Sequence, residues 1–302
     1  MKRHRLLKAL AFSIAVLLAS GSAAAVVLAS KPSRPRAGAP ATAPARALSI
    51  GCWSPALSGT MPARVYLPAG YAASRGRRYP VVYFLHGLPA RPTSYTTNAF
   101  VASALASVGE RAIVVAPQGA RGSGDDREYL DWDAAEDWPQ AIAGDLPKCI
   151  DARFRTIADR YGRALVGLSA GGYGAMNIGL RNLHTFGAVQ SWSGYFVATD
   201  PSGTHLLNLG SPRANAAATV PHGPALRSAL RSEPMQIAFY VGLQDTRFLQ
   251  MNRQYDGALR RNRVGHVFHT YPGGHSVALW RAQARAWLRL SLDWLAARRH
   301  SH

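Results

Sequence analysis

The segment Ala164-Leu-Val-Gly-Leu-Ser-Ala-Gly-Gly-Tyr-Gly-Ala175 decides the fold of this chain. It reads as a buried strand, a Gly-x-Ser-x-Gly turn over Gly167–Gly171, and the small-residue start of a helix. In a nucleophile elbow, the serine occupies a strained strand-to-helix turn that holds its Oγ clear of the sheet. Because the motif has this strand-then-helix context, we expect Ser169 to be a nucleophile. The alternative is a passive serine in a glycine-rich turn.

Two later segments supply the partners that such a serine needs. Asp245 follows the strand-like run Gln236–Val241, and His275 follows the next run, His266–Tyr271. An open α/β sheet places its site residues just past the carboxyl ends of its strands. We therefore expect Asp245 to orient the imidazole of His275, which acts as general base for Ser169. The alternative for Asp245 is a loop residue that caps the next helix.

A fourth part of the site lies upstream. The continuous apolar run Tyr79–Leu85 predicts a strand buried on both faces, and it ends in a His-Gly-Leu-Pro turn that begins at His86. Such a turn supplies the second N–H group of an oxyanion hole. Pro89 has no N–H group, so we assign the two donors to the backbone amides of Leu88 and Ala170. We expect His86 to be a structural hydrogen-bonding residue.

Four segments of the chain, in the same order, resemble the putative-esterase (esterase D-like) family of α/β-hydrolases. They are Arg64–Tyr71 leading to Phe84–Gly87, Ile150–Thr156 leading to Gly167–Gly174, Tyr240–Asp245, and Tyr271–Ser276. The family includes feruloyl and acetylxylan esterases, S-formylglutathione hydrolases and secreted mycolyltransferases. The resemblance implies the α/β-hydrolase fold, a single doubly wound and mostly parallel sheet flanked by helices. It also implies carboxylic-ester hydrolysis or acyl transfer through an acyl-enzyme.

The chain departs from the family pattern at one place in the site. Many members carry methionine after the serine, where this chain has Ala170. The group that acts there is the backbone amide, so we expect the change to alter the shape of the pocket more than catalysis. This chemistry needs no cofactor and no metal ion.

The N-terminus predicts export. A basic segment, Met1–Lys8, precedes the uncharged apolar stretch Ala9–Ser30, which has small residues near its end. The stretch is also long enough to span a bilayer, so residues 1–30 are either a cleaved signal peptide, which we favour, or a retained signal anchor. In both cases the catalytic part is secreted or otherwise outside the cytoplasm. Residues 31–48 read as a Pro/Ala-rich linker, and residues 49–298 as one catalytic domain.

The net charge of +19 raises the question of binding partners. No helix-turn-helix, zinc-ligand spacing or aromatic RNA-binding pattern accompanies the charge, so we exclude nucleic acid. A basic exported protein can associate with an anionic cell envelope. The expected substrate is a small-molecule, polysaccharide or lipid ester. S-formylglutathione is disfavoured because that substrate is cytosolic.

The sequence leaves two alternatives to esterase activity. The first is a cell-envelope acyltransferase of the mycolyltransferase kind, which would use the same triad with a different acceptor. The second is a non-catalytic wall-binding protein that uses the basic surface. The complete four-part site argues against a non-catalytic protein.

Other questions stay open at this point. Cys52 and Cys149 form either a disulfide or two separate buried thiols. Trp192, Tyr195 and Phe196 follow a strand whose end faces the site, so they either line the substrate pocket or pack in the core. The segment 197–233 has no clear strand, and we expect it to overhang the site as a cap.

Overall fold

A computed structural model describes residues 46–107, 109–119, 128–200 and 203–300. The predicted export segment and most of the predicted linker lie outside these residues. The described chain forms one eight-stranded sheet. Its strands are β1 (Arg46–Ser54), β2 (Gly59–Leu67), β3 (Val81–Leu85), β4 (Ile113–Pro117), β5 (Arg163–Leu168), β6 (Ala188–Trp192), β7 (Gln236–Gly242) and β8 (Val267–Tyr271).

The sheet is mostly parallel, as predicted. Its strand order is β1-β2-β4-β3-β5-β6-β7-β8. β1 pairs with β2, and β2 with β4, in antiparallel fashion, and every later pair is parallel. All residues of β3, β4, β6 and β7 are buried, as expected for central strands with helices on both faces. This confirms the doubly wound α/β-hydrolase architecture.

Helices cover both faces of the sheet and separate two apolar clusters. On one face, α1 and α8 pack over a cluster that includes Phe84, Trp192 and Tyr240. Residues of α3, α4, α6 and α7 belong to the cluster of the other face. The helices are α1 (Ala99–Ala106), α2 (Trp138–Gln140), α3 (Leu146–Arg153), α4 (Ala170–Gly179), α5 (Pro212–Ala217), α6 (Pro224–Ser232), α7 (Leu249–Arg261) and α8 (Val277–Arg299), with a π-helical turn at Ala141–Asp145 between α2 and α3.

The N-terminal edge of the domain differs from the sequence expectation. β1 begins at Arg46, so three residues assigned to the linker, 46–48, belong to the first strand. They pair with β2, and the register places Arg46 opposite Leu67. A linker without apolar periodicity and an edge strand that is only partly buried look alike in sequence, and this explains the shift.

The structure answers the question that the sequence left open about the cysteines. Cys52 in β1 and Cys149 in α3 form a disulfide that closes a separation of 97 residues. The bond ties the edge strand of the sheet to a helix on one face. In the described part of the chain, no helix is both long and apolar enough to cross a membrane.

Candidate active site

The elbow between β5 and α4 has a strained backbone. Ser169 has φ 53° and ψ −123°, a left-handed conformation that non-glycine residues rarely adopt. The flanking glycines are required by space. A Cβ atom at Gly167 would lie 2.1 Å from the carbonyl oxygen of Gly171, and one at Gly171 would lie 2.2 Å from that of Leu85. Only glycine allows the strand, the turn and the helix to approach this closely.

The structure brings the three residues expected to form a triad into one hydrogen-bonded chain. His275 Nε2 lies 2.9 Å from Ser169 Oγ, and His275 Nδ1 lies 2.8 Å from Asp245 Oδ2. The Asp245 side chain is fully buried. Its Oδ1 accepts hydrogen bonds from the backbone N–H groups of Arg247 and Phe248, at 3.3 and 3.2 Å. With Nδ1–H donating to this carboxylate, Nε2 is left to accept the Ser169 hydroxyl proton.

Two touching loops position the acid and the histidine. The loop after β7 carries Asp245, and the loop after β8 carries His275. A Cβ atom at Gly242 would lie 2.2 Å from the carbonyl oxygen of Gly273, so the loops meet backbone to backbone. Gly273 itself has φ 120°, which favours glycine. These contacts hold the Asp245–His275 hydrogen bond at a fixed place above the sheet.

Aromatic rings fix the orientation of the imidazole. Trp280 in α8 packs edge-on against His275, with 5.1 Å between ring centroids. Phe248 packs against it with a centroid distance of 5.3 Å. Ser276 caps α8 by accepting a hydrogen bond from the N–H group of Leu279, so the helix begins two residues after the histidine. The His275 ring therefore has little freedom to rotate away from Ser169.

The two residues whose amides are predicted as oxyanion donors belong to elements that contact Ser169. Ala170 is the first residue of α4, where backbone N–H groups have no partner within the helix and the dipole is positive. A Cβ atom at Gly87 would lie 3.1 Å from the Ser169 Cβ, so the turn after β3 contacts the serine. Leu88 follows in that turn and lines the same cleft. This arrangement can stabilise negative charge on an oxygen bound beside Ser169.

His86 has the structural role that the sequence predicted. Its Nε2 accepts a hydrogen bond from the N–H group of Gly119 at 2.8 Å, so Nδ1 carries the proton and donates to the carbonyl of Gly87 at 2.8 Å. Burial lowers the pKa of His86 to about 4, so the ring is neutral near pH 7. The hydroxyl of Tyr129 donates to the His86 carbonyl. Together these bonds hold the turn that carries Leu88.

A cleft of about 400 Å³ opens beside Ser169. The segment around α1, the start of α8 and the loop after Asp245 form its walls. Trp280 of α8 also lines it. The lining residues are His86, Gly87, Leu88, Ser94, Thr97, Asn98, Phe100, Leu168, Ser169, Arg247, His275, Val277, Trp280 and Arg281.

The aromatic residues that the sequence offered as pocket residues do not line this cleft. Trp192 is fully buried in the cluster under α1 and α8, with its Nε1–H donating to Gln190 at 2.9 Å. Tyr195 and Phe196 are each 2% exposed and belong to the cluster of the opposite face. The pocket interpretation is therefore corrected to core packing, because these side chains are enclosed between the sheet and its helices.

The segment 197–233 also differs from its expected place. None of its described residues lines the cleft. It packs over α4 and α7 instead. The Tyr173 hydroxyl donates to the carbonyl of Ala218, and the Tyr255 hydroxyl donates to that of Pro221. The cleft walls that sequence reasoning missed come from segments with no recognisable motif, although Arg247 lies only two residues from the predicted acid.

In the described part of the chain, no group of three or more His, Cys, Asp or Glu side chains could hold a metal ion. The site consists of a serine on an elbow, a hydrogen-bonded histidine and acid, and backbone amides. On a sheet of this order, that arrangement defines the class of α/β-hydrolases with a nucleophile elbow.

Comparison with known proteins agrees with this class. The model of the family described as "Putative esterase" matches residues 54–289. The chain belongs to this esterase family. The match covers both the elbow and the two loops that carry Asp245 and His275.

Relatives in curated collections carry the same kind of name. Esterase Rv1288 of Mycobacterium tuberculosis is 26% identical over 271 residues, which cover 82% of this chain and 56% of the relative. The chain thus spans little more than half the length of that relative. An endo-1,4-beta-xylanase/feruloyl esterase of Xylanibacter ruminicola is 31% identical over 143 residues, 45% of this chain and 20% of that protein.

Solved structures share the fold. A ferulic acid esterase superposes with a TM-score of 0.69 at 22% identity, covering 83% of this chain and 98% of that one. The S-formylglutathione hydrolase FrmB of Staphylococcus aureus superposes with a TM-score of 0.63 at 20% identity, covering 82% and 98%. At these identities the likeness establishes the α/β-hydrolase fold.

Proposed function

We propose that this protein is an exported serine esterase that hydrolyses carboxylic esters through an acyl-enzyme. The observation that carries the proposal is the continuous hydrogen-bonded chain from Ser169 Oγ through His275 to the buried carboxylate of Asp245. Membership of the esterase family supports the same reaction. A small-molecule, polysaccharide or lipid ester is the substrate.

The proposed reaction has two halves. Ser169 Oγ attacks the ester carbonyl carbon while His275 Nε2 takes its proton, and a tetrahedral intermediate forms. Its oxyanion accepts hydrogen bonds from the Leu88 and Ala170 amides. The carbon–oxygen bond to the alcohol breaks, and His275 gives the alcohol its proton. Water then attacks the acyl-enzyme by the same route and releases the carboxylic acid, while Asp245 stabilises the imidazolium at each stage.

Export is the second part of the proposal. The basic and apolar N-terminal sequence has the form of an export signal. The Cys52–Cys149 disulfide supports it independently, because such bonds persist in oxidising compartments outside the cytoplasm. A bifunctional xylanase/feruloyl esterase among the relatives fits an enzyme that meets polysaccharide esters. N-terminal sequencing of the native protein should find a start between Ala24 and Lys31 if the signal is cleaved, and a full-length, detergent-extracted species would favour the anchor.

The test of the reaction combines a covalent probe with two substitutions. A fluorophosphonate should label the wild-type protein at Ser169, and Ser169→Ala should lose both labelling and ester turnover with its melting temperature retained. Asp245→Asn should fold but lose on the order of 10⁴-fold in kcat, because the amide holds the wrong imidazole tautomer. Labelling that persists in Ser169→Ala would overturn the nucleophile assignment. Near-normal kcat in Asp245→Asn would show that another carboxylate orients His275.

A further inference from the structure

The titratable side chains among the described residues that line the cleft are two arginines and two histidines. Arg247 and Arg281 line it, together with the imidazoles of His86 and His275. No carboxylate belongs to the described residues that line it. Asp245, which bonds to His275, is fully buried, and both of its oxygens accept hydrogen bonds. Among the described residues, the two arginines therefore give the lining of the cleft a positive formal charge.

Arg247 lies in the loop after β7 that also carries Asp245. Its backbone N–H donates to Asp245 Oδ1, which fixes the start of its side chain beside that carboxylate. Its guanidinium carbon lies 5.3 Å from the centroid of the Phe248 ring. That ring packs directly against His275. The exposed guanidinium is thus held over a ring that borders the site, rather than on a free loop.

Arg281 approaches from a different element. It follows Trp280 in the first turns of α8, and Trp280 packs edge-on against His275. The Arg281 guanidinium carbon lies 5.9 Å from the centroid of the Phe100 ring, which also lines the cleft. The two arginines therefore stand on separate elements, each one residue from an aromatic ring in contact with the histidine.

On the basis of the proposed esterase function, we propose that this cleft selects esters that carry an anionic group, a carboxylate or phosphate, in the acyl or the alcohol part. Two guanidinium groups from different walls can bind one such group, since arginine matches carboxylate and phosphate geometry. The preference comes from these two residues and not from the overall charge of the protein. A general surface field would act on every approaching anion and would not depend on two positions.

The expected effect is moderate because both guanidiniums are exposed to solvent. An exposed ion pair changes binding by at most about fivefold, so each arginine should contribute up to about fivefold to the preference. The preference should fall as the ionic strength rises, because salt screens exposed charges over distances of about 10 Å. Both arginines together should give a preference of up to about 25-fold.

The experiment measures kcat/KM on matched pairs of esters. The acyl arm compares 4-nitrophenyl hemiglutarate with its uncharged methyl-ester counterpart, and the alcohol arm compares 3-acetoxybenzoate with 3-acetoxybenzamide. The measured quantity is the anionic-to-neutral ratio for the wild type, Arg247→Gln, Arg281→Gln and the double variant. Arg253→Gln on α7 is the matched control, since it removes the same charge from an exposed arginine that does not line the cleft.

We expect the wild type to prefer the anionic ester in one arm, which then identifies the part of the substrate that carries the charge. The ratio should fall with each cleft substitution and stay at its wild-type value in Arg253→Gln. Wild-type turnover of the neutral esters without an anionic preference in either arm would overturn this proposal and leave the esterase function standing. A ratio that falls equally in Arg253→Gln would also overturn it. Failure to turn over any ester would refute the proposed function itself.

Discussion

Gly171→Ala should separate the helix that follows the nucleophile from the strand beside it. The new Cβ would lie 2.2 Å from the carbonyl oxygen of Leu85 and 2.5 Å from that of His86. Ordinary contacts of a Cβ begin at about 3.4 Å, so α4 and the end of β3 must move apart by about 1.2 Å. Both neighbours are backbone atoms at the end of a central strand, and neither can rotate away.

The displacement separates the two elements that carry the proposed oxyanion donors. Leu88 lies in the turn after β3, and Ala170 starts the helix, so moving one element from the other misplaces at least one amide. A misplacement of about 1 Å typically costs about 100-fold in rate, and loss of one oxyanion donor costs about 10²–10³-fold in kcat. Overpacking should also destabilise the fold by about 1–3 kcal/mol. We therefore expect kcat to fall by about two orders of magnitude.

The assay is kcat for 4-nitrophenyl acetate, measured beside the melting temperature from circular dichroism. Gly265→Ala is the matched control, because no atom lies within 4 Å of its new Cβ and its φ is not positive. A folded Gly171→Ala protein whose kcat stays within threefold of wild type would refute the reasoning, since the amides would then tolerate the displacement.

Three further predictions concern stability and the corrected core. Replacing Cys52 and Cys149 by serine opens a loop of 97 residues, so the free energy of unfolding should fall by about 4–5 kcal/mol and the melting temperature by roughly 10–15 °C; unchanged melting would contradict this. Because the pKa of His86 is about 4 in the folded protein and near its ordinary 6.5 when unfolded, its contribution is complete above pH 6.5 and is lost as the pH falls toward 4; His86→Gln should flatten this part of the stability curve measured by urea unfolding. Trp192→Ala should cost about 3–5 kcal/mol of stability and leave the ranking of acetyl, butyryl, octanoyl and feruloyl esters unchanged, whereas a changed ranking would return this residue to the pocket.

The parts of the fold that the sequence predicted are those with local signals. The elbow around Ser169 and the apolar strands β3, β5 and β7 stand out because each is a short uninterrupted run bounded by turn residues. The loops after β7 and β8 could be aligned with the serine, because parallel strands bring their carboxyl ends to one edge. This one rule of topology is enough to predict that these elements are neighbours in space.

Trp192 shows why the pocket could not be predicted in the same way. Side chains alternate between the faces of a strand, so Gln190 and Trp192 share one face of β6. The strand is buried on both sides, and its sequence contains no polar–apolar alternation that distinguishes the faces. Arg281 was missed for a related reason. It faces the cleft only because α8 crosses beside α1, and that contact depends on the packing of elements distant in sequence.

The cysteine pairing belongs to the same category. β1 and α3 are far apart in sequence, because β2, β3 and β4 lie between them. Their approach in space depends on the antiparallel edge formed by β1 and β2. Sequence reasoning named Cys52 and Cys149 as a possible pair. It could not decide between a bond and two thiols, because no local pattern measures the distance between an edge strand and a helix.

The spacing of the relay along the chain has a consequence for when the protein becomes reactive. Ser169 and His275 are separated by 106 residues, and the histidine follows β8, which pairs with β7 at the edge of the sheet. In the proposed mechanism, a growing polypeptide that contains the serine elbow but not yet this strand has a nucleophile without a base. Under the proposed function, reactivity toward esters therefore requires that the last strand has docked.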